Sequence, residues 1–237
     1  MRQLVGKTEI EKILFGSLPN AYPANHPVEG LQQVPILRRV NISDIPEELV
    51  AFDDRKRAKS PEKAGLHFFR DDRKFMSVLL EPDVKVKEFA CYKIVLTPDV
   101  TIGTGMPPWQ KARNLVLGRA AGVVWEHRGI KVIPTVRWLG EEDWDLARCG
   151  IPQRSVFAVS SYMARRDPVD YLQFQHGLRY LVECLKPVAV IVYGSLDDEL
   201  FTELSSHCEL FVYQDAMTRI RSKKSTDSSD ADGLFRL

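Results

Sequence analysis

The chain has 237 residues, of which 44% are hydrophobic, and its 33 basic and 32 acidic residues leave a formal net charge of +1. This length and apolar content exclude a mainly disordered chain and fit one large α/β domain with extensions. The near-neutral balance excludes a polycation, so any contact with nucleic acid has to come from a local basic patch.

Signals for membranes and secretion are absent from the sequence. The unbroken apolar runs are much shorter than the roughly 18–20 residues of a membrane-spanning helix, and the first residues lack the apolar core of a signal peptide. The four cysteines lie far apart and form no CxxC pair, which is typical of reduced thiols. We therefore expect a cytoplasmic protein that makes no contact with a membrane.

The first part of the chain is irregular in pattern. Residues 1–41 are predicted to be an N-terminal extension, with a short helix at 8–15 and a proline-containing loop after it. Residues 43–52 are predicted to form a helix, because Ser43 or Asp44 suits its cap and Pro46 suits its first turn. Residues 76–80 are a candidate strand.

Residues 53–63 form a segment rich in basic side chains. Such a charge run is typical of a solvated helix end or loop, and the alternative is a patch that contacts phosphate groups. In the second case, the nucleic-acid contacts would come from four residues of the segment: Arg55, Lys56, Arg57 and Lys59.

From residue 89 onward, apolar strands alternate with helices. Strands are predicted at 89–96, 131–138, 155–162, 188–193 and 209–213, and helices at 107–127, 143–148, 167–186 and 197–206. In the first long helix, Gly118, Ala121 and Gly122 indicate a strip that another backbone approaches closely. The alternation predicts a mainly parallel sheet covered by helices.

The predicted fold class is therefore α/β, as either a doubly wound sheet or an incomplete (β/α) barrel that earlier strands extend. A single α/β domain is expected over residues 42–217. Residues 218–237 are rich in Ser, Asp and Lys and are predicted to be a disordered tail.

Candidate site residues follow from this fold class, because both architectures bind ligands outside the carboxyl ends of their strands. Asp99 and Asp215 follow two of the predicted strands and are the candidate catalytic carboxylates. The candidate substrate-binding residues lie at other strand ends or at the start of the long helix: Arg137, Trp138, Ser160, Tyr193, Ser195, Gln110 and Asn114. The alternative is that these polar residues only cap neighbouring helices.

Particular roles follow from the chemistry of these side chains. Arg137 suits an anion clamp, and the ring of Trp138 or Tyr193 suits stacking on a planar ligand. Because sequential parallel strands are usually neighbours, Asp99 and Arg137 are expected to pair or to share a ligand. The spacing of Cys184, His207 and Cys208 predicts no metal site, and no motif indicates a particular cofactor.

Several short motifs carry a resemblance to a known family. They are F-R-D-D-R-K-F at 69–75, T-P-D at 97–99, P-P-W-Q-K-A-R-N at 107–114, V-I-P-T-V-R-W at 132–138, C-G-I-P at 149–152 and V-Y-G-S at 192–195. Over about residues 42–205, the chain resembles an uncharacterised family of bacteriophage and mobile-element proteins, known only as a domain of unknown function. The resemblance implies a phage or plasmid setting, hence the host cytoplasm, where nucleic-acid transactions are common.

Three functions stay open at this point. In the first, the protein acts on a nucleobase, nucleotide or nucleic acid at the strand ends, where Asp99 would act on the reacting centre and Arg137 would bind phosphate. In the second, it is a non-catalytic factor that binds host or replication proteins. In the third, it is a DNA-binding module that uses the basic patch at 55–63, although the sequence contains no evident helix-turn-helix. One concave pocket lined by the candidate residues would favour an enzyme, and a flat surface would favour the binding factor.

Deletion of residues 222–237 is expected to change the Tm by less than about 2 °C, because this segment has no apolar face that could dock. Thermal melts of the full and the shortened chain measure the difference. A decrease several times larger would show that the segment, through Leu234 and Phe235, belongs to the fold.

Overall fold

The computed structural model describes residues 25–214, so Asp215, the predicted helix at 8–15 and the predicted tail at 218–237 lie outside the described residues. A short antiparallel hairpin, β1 (Val28–Glu29) and β2 (Val34–Pro35), comes first. Parallel strands then follow: β3 (Glu48–Ala51), β4 (Ala64–His67), β5 (Ile94–Leu96), β6 (Val132–Ile133), β7 (Val156–Ser160), β8 (Ala189–Tyr193) and β9 (Glu209–Tyr213).

Helices separate most of these strands. The described α-helices are α1 (Met76–Leu80), α2 (Val86–Phe89), α3 (Pro108–His127), α4 (Trp144–Ala147), α5 (Pro168–Leu185) and α6 (Asp198–Ser205). Helix α5 begins where the sequence indicates, because the Asp167 carboxylate accepts the backbone N–H groups of Val169 and Asp170 at 2.8 and 3.2 Å. The carboxylate of Asp197 caps α6 in the same way.

The parallel strands lie side by side in chain order. Strands β3 to β6 form a four-stranded sheet and β7 to β9 form a three-stranded sheet. A parallel bridge between Thr135 and Ala158 joins the two sheets, and the Ala158 N–H donates to the Pro134 carbonyl at 2.9 Å. A doubly wound sheet reverses its strand order, whereas a (β/α) barrel keeps chain order, so this fold is the barrel alternative.

The barrel is incomplete. Within residues 25–214 no ladder joins β9 to β3, and we call the gap between these two strands the seam. Buried side chains from the strands fill the interior, among them Leu49, Ile133 and Ile191. The Tyr213 hydroxyl donates to the Pro46 carbonyl at 2.5 Å, so a side chain connects the end of β9 to the segment before β3.

Two local predictions are wrong. Residues 43–52 form a 3-10 turn at Ile42–Asp44 and then β3, where Leu49 and Ala51 are buried while Glu48 and Val50 are half-buried. This alternation has the period of a strand, and pairing with β4 outweighs the helix-start signals. The candidate strand at 76–80 is helix α1, which buries the consecutive residues Val78 and Leu79.

The close packing predicted for the first long helix is confirmed, whereas two other segments differ in extent from their predictions. Helix α3 packs closely on the exit of β5, because a Cβ atom on Gly118 would lie 2.7 Å from the Pro98 carbonyl oxygen. The apolar run at 89–96 forms a strand only over Ile94–Leu96, since its first residue ends α2. Residues 25–41, assigned above to the extension, contain the hairpin and bury Val34 and Leu37.

A buried carboxylate lies near the end of α3. The Oε1 atom of Glu126 accepts the backbone N–H of Arg38 at 2.8 Å, while Oε2 is buried without a hydrogen bond. Burial raises the pKa of Glu126 to about 7, against the opposing effect of Arg38.

Replacement of Glu126 by glutamine is expected to remove a pH dependence of stability. Burial raises the pKa of Glu126 in the folded protein above its value in the unfolded chain. The protonated side chain therefore contributes stability that is fully present below the unfolded-state pKa and is lost as the pH rises through about 7. The native protein should therefore lose free energy of unfolding, relative to Glu126→Gln, between about pH 5 and about pH 8. Urea denaturation measures this difference. The exposed Glu141→Gln is the control, and an identical profile for both variants would contradict the assignment.

Candidate ligand site at the carboxyl ends of the strands

A small recess lies over the carboxyl ends of β5, β6 and β7, and we call it the strand-end recess. Its volume is about 160 Å³. Four of the predicted residues line it, Asp99, Arg137, Trp138 and Ser160, together with Asp170 and apolar side chains. Four candidate residues therefore lie together in one concavity, and their roles as site residues stay a prediction.

The floor of the strand-end recess is an ion pair. Arg137 donates from Nε to Asp99 Oδ1 at 2.9 Å and from Nη2 to Oδ2, in a two-pronged contact. The Asp99 side chain is 3% exposed and that of Arg137 is 33% exposed. The charge of Asp99 raises the pKa of Arg137, so the guanidinium stays protonated. This contact follows from the adjacency of β5 and β6.

Trp138 forms one wall, but its ring is already engaged. The indole stacks on Phe174 of α5 with centroids 5.5 Å apart and an angle of 11° between planes. Its Nε1–H donates to the Gln173 carbonyl at 3.1 Å. A Cβ atom on Gly177 would lie 2.1 Å from Nε1, so α5 needs glycine at that position to accommodate the indole. These contacts make Trp138 a link between β6 and α5.

A larger cleft, which we call the seam cleft, opens at the carboxyl end of the seam. Its volume is about 610 Å³. It is lined by charged, aromatic and apolar residues: Glu48, Leu49, Val50, Ala51, Asp54, Arg57, Ala58, Lys59, His67, Arg70, Tyr193 and Gln214. Tyr193 thus lies in a different concavity from Asp99 and Arg137.

Aromatic contacts and an arginine hold Tyr193 in place. Its ring stacks on Phe69 with centroids 5.1 Å apart, and the ring of His67 lies 4.5 Å away. Arg70 donates to the Tyr193 hydroxyl at 3.3 Å and to Asp53 Oδ1 at 3.0 Å. The seam cleft therefore has a fixed aromatic floor with a cation at its edge.

The basic segment 53–63 borders the seam cleft, and its members differ in their contacts. Arg55 lies over the Phe52 ring at 4.4 Å and donates to Glu88 at 2.6 Å, which makes it a structural residue. Arg57 is exposed and contacts Asp54 at 3.2 Å. Lys56 and Lys59 are exposed and form no ion pair with any residue of the described part, and only Lys59 lines the cleft.

The remaining candidates lie outside both concavities. Asn114 is buried and donates from Nδ2 to the Thr101 carbonyl at 2.7 Å, which fixes the loop before α3. Gln110 is half-buried one turn earlier and lines neither concavity. The exposed Ser195 exchanges two hydrogen bonds with the Ser161 hydroxyl through its backbone. The side chain of Ser161, which the sequence did not single out, thereby joins the ends of β7 and β8.

The sequence missed other residues that line the two concavities. His67 is the last residue of β4 and Arg70 follows it, and the apolar pattern of the sequence does not reveal this strand. Asp170 belongs to the first turn of α5 and was assigned only to the helix start.

Two features are absent from residues 25–214. This part of the chain contains no group of three or more His, Cys, Asp or Glu side chains that could hold a metal ion. It also contains no helix that is both long and apolar enough to cross a membrane.

The fold and the strand-end concavities define an α/β protein with an incomplete parallel barrel. The chain belongs to the family described as Domain of unknown function (DUF4417), whose model matches residues 26–214. It is 33% identical over 166 residues to the "Gene 1 protein" of Mycobacterium phage L5, which covers 69% of this chain and 72% of the relative. The corresponding protein of Mycobacterium phage D29 is 31% identical over 172 residues, or 72% of this chain and 63% of the relative.

These relatives confirm the resemblance to an uncharacterised phage family that the sequence motifs indicate. No solved structure matches the chain.

The two members of the Asp99–Arg137 pair are expected to differ in their effect on stability. Arg137→Ala leaves the almost fully buried Asp99 without its cation, which costs about 3–5 kcal/mol of unfolding free energy. Asp99→Ala leaves a partly exposed guanidinium that can turn toward water, so its loss is smaller. Urea denaturation of both variants and of the double variant measures the asymmetry. Two single variants as stable as the native protein would contradict this account of the pair.

Proposed function

We propose that the protein binds a nucleotide or nucleic acid through its phosphate groups at the carboxyl ends of the strands, with the seam cleft as the ligand site. The observation that carries this proposal is the position of the cleft, because its 610 Å³ opens at the carboxyl ends of the strands, where parallel barrels bind ligands, and lies within the roughly 300–1,000 Å³ of small-molecule sites. Arg57, Lys59 and Arg70 give it three cationic side chains.

The contacts of these cations support phosphate binding. Lys59 is exposed without an ion-pair partner in the described chain, and the exposed contact between Arg57 and Asp54 is of a kind worth about 0–1 kcal/mol. A phosphate group can therefore replace it at little cost. Arg70 is held by Asp53 and by the Tyr193 hydroxyl, which orients its guanidinium before any ligand arrives.

Other side chains of the seam cleft suit the sugar and the base edge of a nucleotide. The His67 and Tyr193 rings and Leu49 are buried, at 2%, 5% and 4% exposure, so they form the floor of the cleft and present no face for base stacking. The carboxylates of Glu48 and Asp54 can accept hydrogen bonds from base amino groups or from ribose hydroxyls.

The strand-end recess is too small for a nucleotide, at about 160 Å³. We propose that Asp99 there orients Arg137 toward a phosphate instead of reacting itself, since both of its oxygens accept from that guanidinium. A catalytic role for Asp99 or Asp215 stays a prediction.

A second candidate function is that of a factor that binds host or replication proteins. It is supported by three exposed apolar side chains at or near the start of α5, those of Met163, Val169 and Leu172. Absence of nucleotide and oligonucleotide binding at low salt would favour this candidate.

Reversal of charge at Lys59 is expected to weaken binding much more than the same change at Lys56. Both lysines are exposed in one segment, but only Lys59 lines the seam cleft. At about 50 mM NaCl, Lys59→Glu should raise the Kd for a fluorescent ATP analogue and for a labelled oligothymidylate by about tenfold or more.

Lys56→Glu should change either Kd by less than about threefold. Fluorescence anisotropy over a series of salt concentrations makes the measurement. Equal losses for the two variants would indicate non-specific attraction and would contradict a site in the cleft.

A further inference from the structure

Two adjacent arginines occupy the loop between β7 and α5. This loop leaves the barrel at Ser160, beside the strand-end recess, and continues through a 3-10 turn at Ala164–Arg166. The Arg165 guanidinium lies over the Tyr171 ring at 4.8 Å, and that of Arg166 lies over the Tyr162 ring at 4.9 Å.

Each guanidinium also donates to a tyrosine hydroxyl. Arg165 Nη1 lies 3.1 Å from the Tyr171 oxygen, and Arg166 Nη2 lies 2.8 Å from the Tyr162 oxygen. Tyr171 is itself fixed, since its hydroxyl donates to Asp197 Oδ2 at 2.7 Å. The two guanidinium groups are therefore oriented by rings and hydroxyls.

Neither arginine serves an ion pair within residues 25–214, although both are exposed. Some exposed or half-buried arginines of the described chain form ion pairs, as Arg148 does with Asp145 and Arg179 with Glu203, whereas Arg39 and Arg154 also form none there. Arg165 and Arg166 also precede the amino end of α5, where the helix dipole disfavours cations. Their contacts with the two tyrosines offset this effect and hold both guanidinium groups at the surface.

We infer that the Arg165–Arg166 loop is a phosphate-binding element that extends the ligand site from a single nucleotide to single-stranded nucleic acid. This inference rests on the proposed function. The planar guanidinium suits phosphate oxygens, and its stacking on tyrosine leaves the outer edge available for hydrogen bonds. Two such groups at neighbouring positions match a chain of successive phosphates better than one mononucleotide.

The topology connects this loop to the seam cleft. Ser160 at the end of β7 pairs with Tyr193 at the end of β8, and Tyr193 lines the seam cleft. Neighbouring strands lie about 4.8 Å apart, so the loop and the cleft leave the sheet at adjacent positions. A strand of nucleic acid can therefore run from Lys59 and Arg70 past Tyr193 to the two arginines.

The test uses the full chain, a fluorescein-labelled oligothymidylate of about 20 nucleotides and the fluorescent ATP analogue. Arg165→Gln/Arg166→Gln should raise the Kd for the oligothymidylate by about tenfold at about 50 mM NaCl, while the Kd for the ATP analogue changes by less than about twofold. The slope of log Kd against log salt should fall by about 1.4, the value for two single-strand phosphates.

Arg154→Gln is the matched control. Arg154 is exposed and precedes β7, so it lies at the opposite end of the same strand. Its replacement should leave both Kd values unchanged. The double variant should lower the Tm by no more than a few degrees, because the loss of two exposed cation–π contacts and two hydrogen bonds is offset by the removal of two cations from the amino end of α5.

Each other outcome decides between the proposals. If the double variant binds the oligothymidylate as tightly as Arg154→Gln does, the loop assignment is wrong. In that case, a loss of ATP-analogue binding in Lys59→Glu would still support the seam cleft as the nucleotide site. If only the double variant loses affinity, the cleft assignment is wrong and the loop assignment stands. If the native protein binds neither probe at low salt, both are wrong.

Discussion

A fully buried guanidinium, that of Arg119, connects the longest helix to the strands that carry the recess. It donates from Nη1 to the Thr135 carbonyl at 2.7 Å and from Nε to the Cys149 carbonyl at 3.3 Å. Burial lowers the pKa of Arg119 to about 10, so the group is still charged at neutral pH. In the described chain, its hydrogen bonds go to carbonyl and hydroxyl oxygens of the segments that carry Thr97, Thr135 and Cys149. A hydrophobic side chain at this position could not hold these segments together, because it donates no hydrogen bonds.

The arrangement of the strand-end recess depends on this clamp. Thr97 and Thr135 follow β5 and β6, and they exchange two hydrogen bonds of 2.8 Å through their hydroxyl and backbone groups. These bonds continue the pairing of the two strands beyond the formal ladder. Asp99 and Arg137 come two residues after the threonines and are therefore in register. Their contact is a consequence of how α3 holds both strand ends.

Elements with an apolar run or with clear end signals could be predicted from the sequence, whereas a buried strand without such a run could not. Helix α5 has its cap, its proline and its apolar face in the sequence itself. Strand β4 has only four residues, among them Gly65, and glycine is a poor strand former. A Cβ atom there would lie 2.8 Å from Pro46 Cγ, so tertiary packing selects the glycine. No local pattern reveals such a strand.

This difference explains which part of the site was predictable. Asp99, Arg137 and Ser160 follow strands with apolar patterns, and so their strand-end position could be read directly. His67 is the last residue of β4 and Arg70 follows it, and the seam cleft depends on long-range pairing that one sequence does not display. The contacts of Trp138 with Phe174 and Gly177 are of the same kind, because they join segments that are more than thirty residues apart.

The open seam gives the barrel a feature that a closed one lacks. In a closed barrel, side chains fill the interior and every strand edge is paired, so ligands meet only the loops at the strand ends. Here β3 and β9 each keep one edge without a ladder in the described chain, which in other proteins invites pairing with another molecule. Charged side chains from Glu48, Asp54 and Lys59 line this region and oppose such pairing. The same charges and the missing ladder make the gap a polar cleft beside an apolar core, so incomplete closure and the proposed ligand site have one structural origin.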